Sequence, residues 1–193
     1  MKKKILGLIP TRLNSSRLPQ KALLEIKNIP LVIHTFKRSS LSKCLDEIYI
    51  CCDDKKIYNM AKKFGAKCIM TSPHHNNGTE RIFEAYKTIS KKNKFDLIVD
   101  IQGDEPLVSP YHIDDVIKHH LENFKYDIVL PTINSDQKNN TNIIKVISNI
   151  KKEVLYLSRS NIPFEFKSIN KFISKHLSII SFKPDSLKKF SES

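Results

Sequence analysis

The chain has 193 residues, 40% of them hydrophobic, and a formal net charge of +13. That length buries a core without a disulfide or metal staple, and the hydrophobic content, with no long polar tract, excludes a disordered chain. The charge calls for an acidic partner. There is no tryptophan, aromatic residues are unclustered and the lysines are scattered, so the expectation is a phosphorylated small molecule, with no nucleic acid and no membrane.

The elements read in chain order as follows. An apolar run over residues 4–9 is a first buried strand. Behind it comes the loop Ile9-Pro10-Thr11-Arg12-Leu13-Asn14-Ser15-Ser16-Arg17-Leu18-Pro19-Gln20-Lys21. Its two arginines, lysine and two serines are a dense set of donors for phosphate oxygens. The chain has 28 lysines and only five arginines, and two of the five lie here, which favours a geometric use of the guanidinium. The alternative is a solvated basic turn. Helical spacing follows over 30–40, a strand over 47–52, and a helix over 54–64, where Ile57, Met60, Ala61 and Phe64 share a face and Gly65 ends the run. A strand at 67–70, a helix at 79–92 and a strand at 96–101 come next. Leu97-Ile98-Val99 is continuous apolar sequence, as in a strand covered on both faces. A helix over 110–123 has Pro110 in its first turn and Ser109 as its candidate cap, and a strand follows at 127–132.

This alternation predicts an α/β fold, a doubly wound and mostly parallel sheet with right-handed crossovers. Ligands then bind outside the carboxyl ends of the strands. The pattern changes after about residue 134. Residues 135–142 are polar, and strand-like segments at 143–148, 153–158 and 176–182 lack the βαβ rhythm. They are read as a small antiparallel piece appended to a core of residues 1–133, the whole of 1–193 being one domain. Cys44, Cys51, Cys52 and Cys68 have no metal-ligand spacing. They are expected as small core residues in a reducing compartment, with Cys51 and Cys52 pointing to opposite faces of a strand. The apolar segment after the three N-terminal lysines is too short for a secretory signal, and no run reaches membrane-spanning length, so a cytoplasmic protein is expected.

Three further segments carry chemistry. In Asp100-Ile101-Gln102-Gly103-Asp104-Glu105-Pro106, an acidic pair at a strand's carboxyl end beside a glycine suits a hard cation. Asp104 is the first choice as a magnesium ligand, against the alternative of an Asp-rich turn. His75-Asn76-Asn77-Gly78-Thr79-Glu80-Arg81 opens a helix, where free amides with Thr79 and Arg81 can hold an anion or a base edge. Thr79 is equally readable as a plain N-cap. In Ser158-Arg159-Ser160-Asn161-Ile162-Pro163 and Lys175-His176-Leu177, an arginine and a histidine could receive a carboxylate, although His176 alone reads as an ordinary strand histidine.

Together these segments resemble the CMP-KDO synthetases, the 3-deoxy-manno-octulosonate cytidylyltransferases, over nearly the whole chain. The opening loop matches the family at Ile9, Pro10, Arg12, Ser15, Arg17, Leu18, Pro19 and Lys21. Gln-Gly-Asp-Glu-Pro stands intact at 102–106, Gly-Thr-Glu-Arg at 78–81, Ser-Arg-x-x-Ile-Pro at 158–163 and His-Leu-x-Ile at 176–179. Four of the five arginines lie in these segments. The departures are Gln20 for a glycine, Ala22 for a proline and Ile180 for an aromatic residue.

The resemblance implies a nucleotide-diphospho-sugar transferase-like, three-layer αβα fold. It implies a CTP-dependent enzyme that activates a 2-keto sugar acid, KDO or a close analogue, for lipopolysaccharide or capsule synthesis, with Mg2+ as cofactor. Arg12, Arg17, Lys21 and Asp104 would be catalytic, and Asp104 would bind the metal. Pro10, Arg12, Ser15, Lys21, Gly78, Thr79 and Arg81 would bind the nucleotide. Gln102, Arg159 and His176 would bind the sugar acid, the last two from the 134–183 part. A homodimer is a further expectation. The family is longer than this chain and draws a second metal-binding aspartate from the additional segment. The alternative expectation is therefore a truncated nucleotide-binding protein without efficient turnover.

Overall fold

The structure, a computed structural model, describes residues 2–14, 18–163 and 172–192. The chain runs β1 (Ile5–Thr11), a 3-10 turn (Lys21–Leu23), β2 (Glu25–Ile26), β3 (Ile29–Pro30), α1 (Leu31–Ser39), β4 (Glu47–Cys52), α2 (Lys55–Lys63), β5 (Cys68–Met70), α3 (Gly78–Ser90), β6 (Leu97–Ile101) and α4 (Pro110–Glu122). It continues through β7 (Ile128–Val129), β8 (Thr132–Ser135), β9 (Lys145–Ser148), β10 (Val154–Ser158), β11 (Ile173–His176), β12 (Ile179–Phe182) and α5 (Pro184–Ser191).

Two compact units result, residues 1–129 with 178–193, and residues 130–177. The first is built on a six-stranded sheet in the order β5-β4-β1-β6-β12-β7. The first four strands are parallel, and β12 runs antiparallel between β6 and β7. The alternation of side chains along β1 shows why helices cover both faces. Ile5 and Ile9 enter one core with Val32 and Ile33 of α1, Ile57 and Ala61 of α2, and Ile113 and Ile117 of α4. Leu6 and Leu8 enter the other with Ile82 and Ala85 of α3 and Leu187 of α5. Cys51 and Cys52 divide between the two cores in the same way, as their adjacency predicts. All four cysteines are free thiols.

The predicted helices and parallel strands are found within one or two residues of their observed ends. Asp54 caps α2 by accepting the Lys56 N–H at 2.7 Å, and Gly65 takes the left-handed conformation after it (φ 72°). Ser109 occupies the cap position of α4, but its side chain makes no capping bond. The expected strand at 127–132 is two strands interrupted at Pro131, which has no N–H to give to a ladder. The β2–β3 hairpin escaped the sequence pattern. Its turn residues Lys27 and Asn28 both have positive φ, without the Asn-Gly or Asp-Gly pair that announces such turns.

The second unit is a four-stranded antiparallel sheet, β10-β9-β11-β8. The expected strand over 176–182 is divided at Ser178, which has a φ of 57°. Its first part belongs to β11 and its second is β12 of the main sheet. Alternating apolar residues announce a strand and not the sheet it joins, which is why the sequence assigned β12 to the appended piece.

Candidate active site

The sheet order locates the site. From β1 the chain steps outward through β4 to β5, then returns by α3 to place β6 on the other side of β1. The crevice between the carboxyl ends of β1 and β6 is therefore the topological switch point, where open α/β sheets bind ligands. The loops after Thr11 and Ile101 leave from it. They approach so closely that a Cβ on Gly103 would stand 2.7 Å from the Pro10 carbonyl oxygen. A glycine is required there by close backbone approach.

The first loop is tied down at both described ends. The Leu13 N–H donates to Asp53 Oδ1 at 2.9 Å, and the Gln20 N–H returns to the Leu13 carbonyl at 3.1 Å. Gln20 itself lies in the left-handed region (φ 55°, ψ 27°), the conformation for which the family's glycine at this position is suited. Lys21 follows and its ammonium donates to Asp104 Oδ2 at 2.7 Å. The lysine and aspartate side chains are 35% and 52% exposed, so this pair stays within reach of a ligand. The Arg12 guanidinium has no protein partner among the described residues. Ser15 and Arg17, both predicted site residues, lie outside the described residues.

The turn before α3 forms another wall. Asn77 caps the helix, its Oδ1 accepting the Glu80 N–H at 2.9 Å, so Thr79 is not the N-cap. Arg81 is buried (3% exposed). Its Nη1 donates to Thr71 Oγ1 at 2.7 Å and to the Ser72 carbonyl at 3.1 Å, and its Nη2 lies 3.3 Å from Asp53 Oδ2. Asp53 thus bridges the first loop and this turn. His75 sets its Nε2 against Glu84 and its Nδ1 3.6 Å from Glu80. Burial works to raise the Glu84 carboxyl, but the Ser72 N–H and the His75 ring outweigh it and hold it below the usual carboxylate range.

These walls enclose an open cleft of about 260 Å³. Pro10, Arg12, Lys21, Gly78 and Arg81 line it, with Gln102 and Asp104 from the loop after β6. Thr79 is not among the lining residues. His75, Asn76 and Asn77 also line the cleft. They lay in a segment whose signal was the helix start rather than these side chains. Asp53 and Asp100 were missed. The signal available for Asp53 was its place at the carboxyl end of the second parallel strand. Asp100 reads as one more member of a buried strand.

The Asp100 carboxyl is buried, and both of its oxygens accept from Gln102 Nε2, at 3.2 and 3.1 Å. Burial pushes its pKa up to about 7, and the amide bond opposes that only in part.

Arg159 and His176 belong to the second unit. The Arg159 Nη1 donates to the Asn142 and Thr141 carbonyls at 2.9 and 3.3 Å. Its own carbonyl accepts from the ammonium of Lys145 at 2.8 Å, and Lys145 is 1% exposed. His176 is a buried residue of β11 whose N–H donates to the Ile144 carbonyl at 3.0 Å.

The chain matches the cytidylyltransferase family over residues 6–192. It belongs to that family. A 3-deoxy-manno-octulosonate cytidylyltransferase of Thermodesulfovibrio yellowstonii is 36% identical to it over 197 residues, covering 95% of this chain and 76% of the relative. An 8-amino-3,8-dideoxy-manno-octulosonate cytidylyltransferase of Shewanella putrefaciens is also 36% identical, over 92% of this chain and 74% of its own length. A solved CMP:2-keto-3-deoxy-manno-octonic acid synthetase complexed with CTP superimposes with a TM-score of 0.87. It is 29% identical, over 98% of this chain and 78% of that one. The resemblance drawn from the four motifs is thereby borne out, as is the doubly wound, mostly parallel fold. No helix among the described residues is long and apolar enough to cross a membrane.

Proposed function

We propose that this cytidylyltransferase joins the CMP group of CTP to a 2-keto sugar acid of the KDO class and releases pyrophosphate. The observation that carries the reading is the Lys21–Asp104 pair, which sets an ammonium beside a half-exposed carboxylate in the switch-point cleft. The anomeric hydroxyl oxygen of the acid bonds to the α-phosphorus of CTP. The bond from that phosphorus to the oxygen bridging to the β-phosphate breaks, the hydroxyl proton is lost, and pyrophosphate departs. Such a transfer depends chiefly on positioning and on stabilising charge at the phosphate oxygens.

Arg12 and Lys21 hold the triphosphate in this reading, with Arg17 of the same loop. Pro10, Gly78 and Arg81 flank the nucleoside, and Thr79 and Ser15 remain proposed nucleotide residues through the matched motifs. Gln102, Arg159 and His176 are the proposed sugar-acid residues. Asp104 fits a Mg2+ ion. It lines the cleft with a half-exposed carboxylate, and magnesium commonly takes one or two carboxylates with phosphate oxygens and water. No group of three His, Cys, Asp or Glu residues that could hold a metal ion occurs among the described residues, and phosphate oxygens and water would complete the shell of an ion held by Asp104. When bound, the ion offsets negative charge on the phosphate oxygens.

Pyrophosphate release from purified protein given CTP, magnesium and KDO tests the reading. Release that requires all three and is lost in Asp104→Asn supports it. Tight CTP binding without release in the wild type would instead mark a nucleotide-binding protein without turnover.

A further inference from the structure

Gln102 is one of the residues that line the cleft, and its side-chain amide has two chemically different ends. Its Nε2 is held on both oxygens of Asp100. An ionised carboxylate only accepts, so it fixes the amide with the donor end toward itself. The carbonyl end, Oε1, has no partner among the described residues and is not sealed from solvent. Among the described residues no other donor is bonded to the Asp100 carboxyl. Its partners in register are apolar, Leu8 on β1 and Ile180 on β12. From the helices on that face, α5 presents Leu187 and α3 presents Ile82 and Ala85. Among the described residues the ionisable group beside it is the Cys51 thiol of β4, itself driven up by burial and by neighbours that include Asp100.

We infer that Asp100 is a positioning residue, which holds the Gln102 amide so that its carbonyl oxygen faces the cleft as an acceptor for a hydroxyl of the sugar acid. The inference rests on the proposed function for the identity of that ligand. It assigns Gln102 to a hydroxyl rather than to the acid's carboxylate, since two acceptors do not bond. It also makes the site responsive to pH. When Asp100 takes a proton it offers a donor as well as an acceptor, so the amide is no longer fixed and can turn Nε2 instead of Oε1 to the cleft. The carboxyl titrates near pH 7 (burial raises it to about 7), so the acceptor arrangement is present above that pH and is lost as pH falls through it.

The test compares Asp100→Leu with Asp100→Asn, whose side chain, like the protonated acid, offers a donor beside its acceptor. The KM for KDO should rise about tenfold in Asp100→Leu, the scale of one lost hydrogen bond, while the Kd for CTP changes less than about twofold. Asp100→Asn should keep at every pH the raised KM that wild type shows at low pH, because like the protonated acid it does not fix the amide. The wild-type KM should rise as pH falls from 8 to 6, and in Asp100→Asn that dependence should vanish. An unchanged KM in Asp100→Leu, an equal loss of CTP affinity, or a retained pH dependence in Asp100→Asn would overturn the assignment. A second readout needs no substrate. The side-chain NH2 signals of Gln102 in an NMR spectrum should titrate with a midpoint near pH 7 in wild type and not in Asp100→Asn. A Gln102 signal that ignores pH overturns the positioning role even in an active enzyme. A titrating signal in a protein that releases no pyrophosphate overturns only the proposed function.

Discussion

Arg12 and Arg81 both line the cleft and both stand in family motifs, yet they face opposite demands. Arg81 is buried, and Asp53, Thr71 and Ser72 take three of its donors. Arg12 has no partner among the described residues, and its neighbour Lys21 is held only by a half-exposed aspartate. One cation builds the site and the other is offered to a ligand. A motif match therefore names the residues of a site without telling which of them hold the protein together. Burial and the partners already held by each donor make that distinction.

The comparison predicts that substitutions on its two sides fail differently. Arg81→Ala leaves Asp53 a nearly buried carboxylate without its cation, held only by the Leu13 N–H among the described residues, and should lower unfolding free energy by about 3 kcal/mol in denaturant titration. Arg81→Lys should recover little of it, because an ammonium cannot reproduce the planar fork. Lys21→Ala should show the reverse, turnover lower by about 100-fold or more with little change in stability, as expected for losing a contact to developing charge. A large fall in melting temperature for Lys21→Ala would erase the distinction.

Asp100 sharpens the comparison from within the core. Its native pKa, near 7, lies above the ordinary carboxylate value of about 3.8. The folded state therefore binds more protons than the unfolded state between those limits. Stability contributed by the protonated form is present below about pH 4 and is lost as pH rises through 7. Asp100→Asn should accordingly stabilise the protein at pH 8 by up to about 4 kcal/mol, and by much less at pH 4. An equal effect at both pH values would mean that the carboxyl is not raised. The smallest effect is expected at Gln20, whose left-handed backbone costs a side-chain-bearing residue more than it costs glycine. Gln20→Gly should stabilise the protein by about 0.5 kcal/mol by thermal melting, the gain being reduced by the greater freedom of glycine in the unfolded chain.

Much of this arrangement was legible in the sequence, for reasons that differ from place to place. The parallel strands announced themselves because they are covered on both faces and so read as unbroken apolar runs, as in Leu97-Ile98-Val99. The helices between them were marked by spacing and by stops such as Gly65. Alternation of the two placed ligands at strand ends, and the cationic loop and Asp104 stand there. What stayed hidden depends on partners far along the chain. Asp53 lies 28 residues from Arg81, and only the fold brings them to 3.3 Å. Asp100 sits in an apolar strand where nothing local says that its side chain will be sealed. The membership of β12 in the main sheet hangs on one left-handed residue, Ser178, which carries none of the glycine or asparagine signal that marks such breaks.

The most direct test of the account is a phosphorus NMR spectrum of the protein incubated with CTP, magnesium and KDO. The account predicts loss of the CTP signals and growth of one phosphodiester signal, from the CMP–sugar bond, together with an equal amount of pyrophosphate. CTP signals that broaden on binding but never convert, or conversion to inorganic phosphate without a phosphodiester, would contradict it.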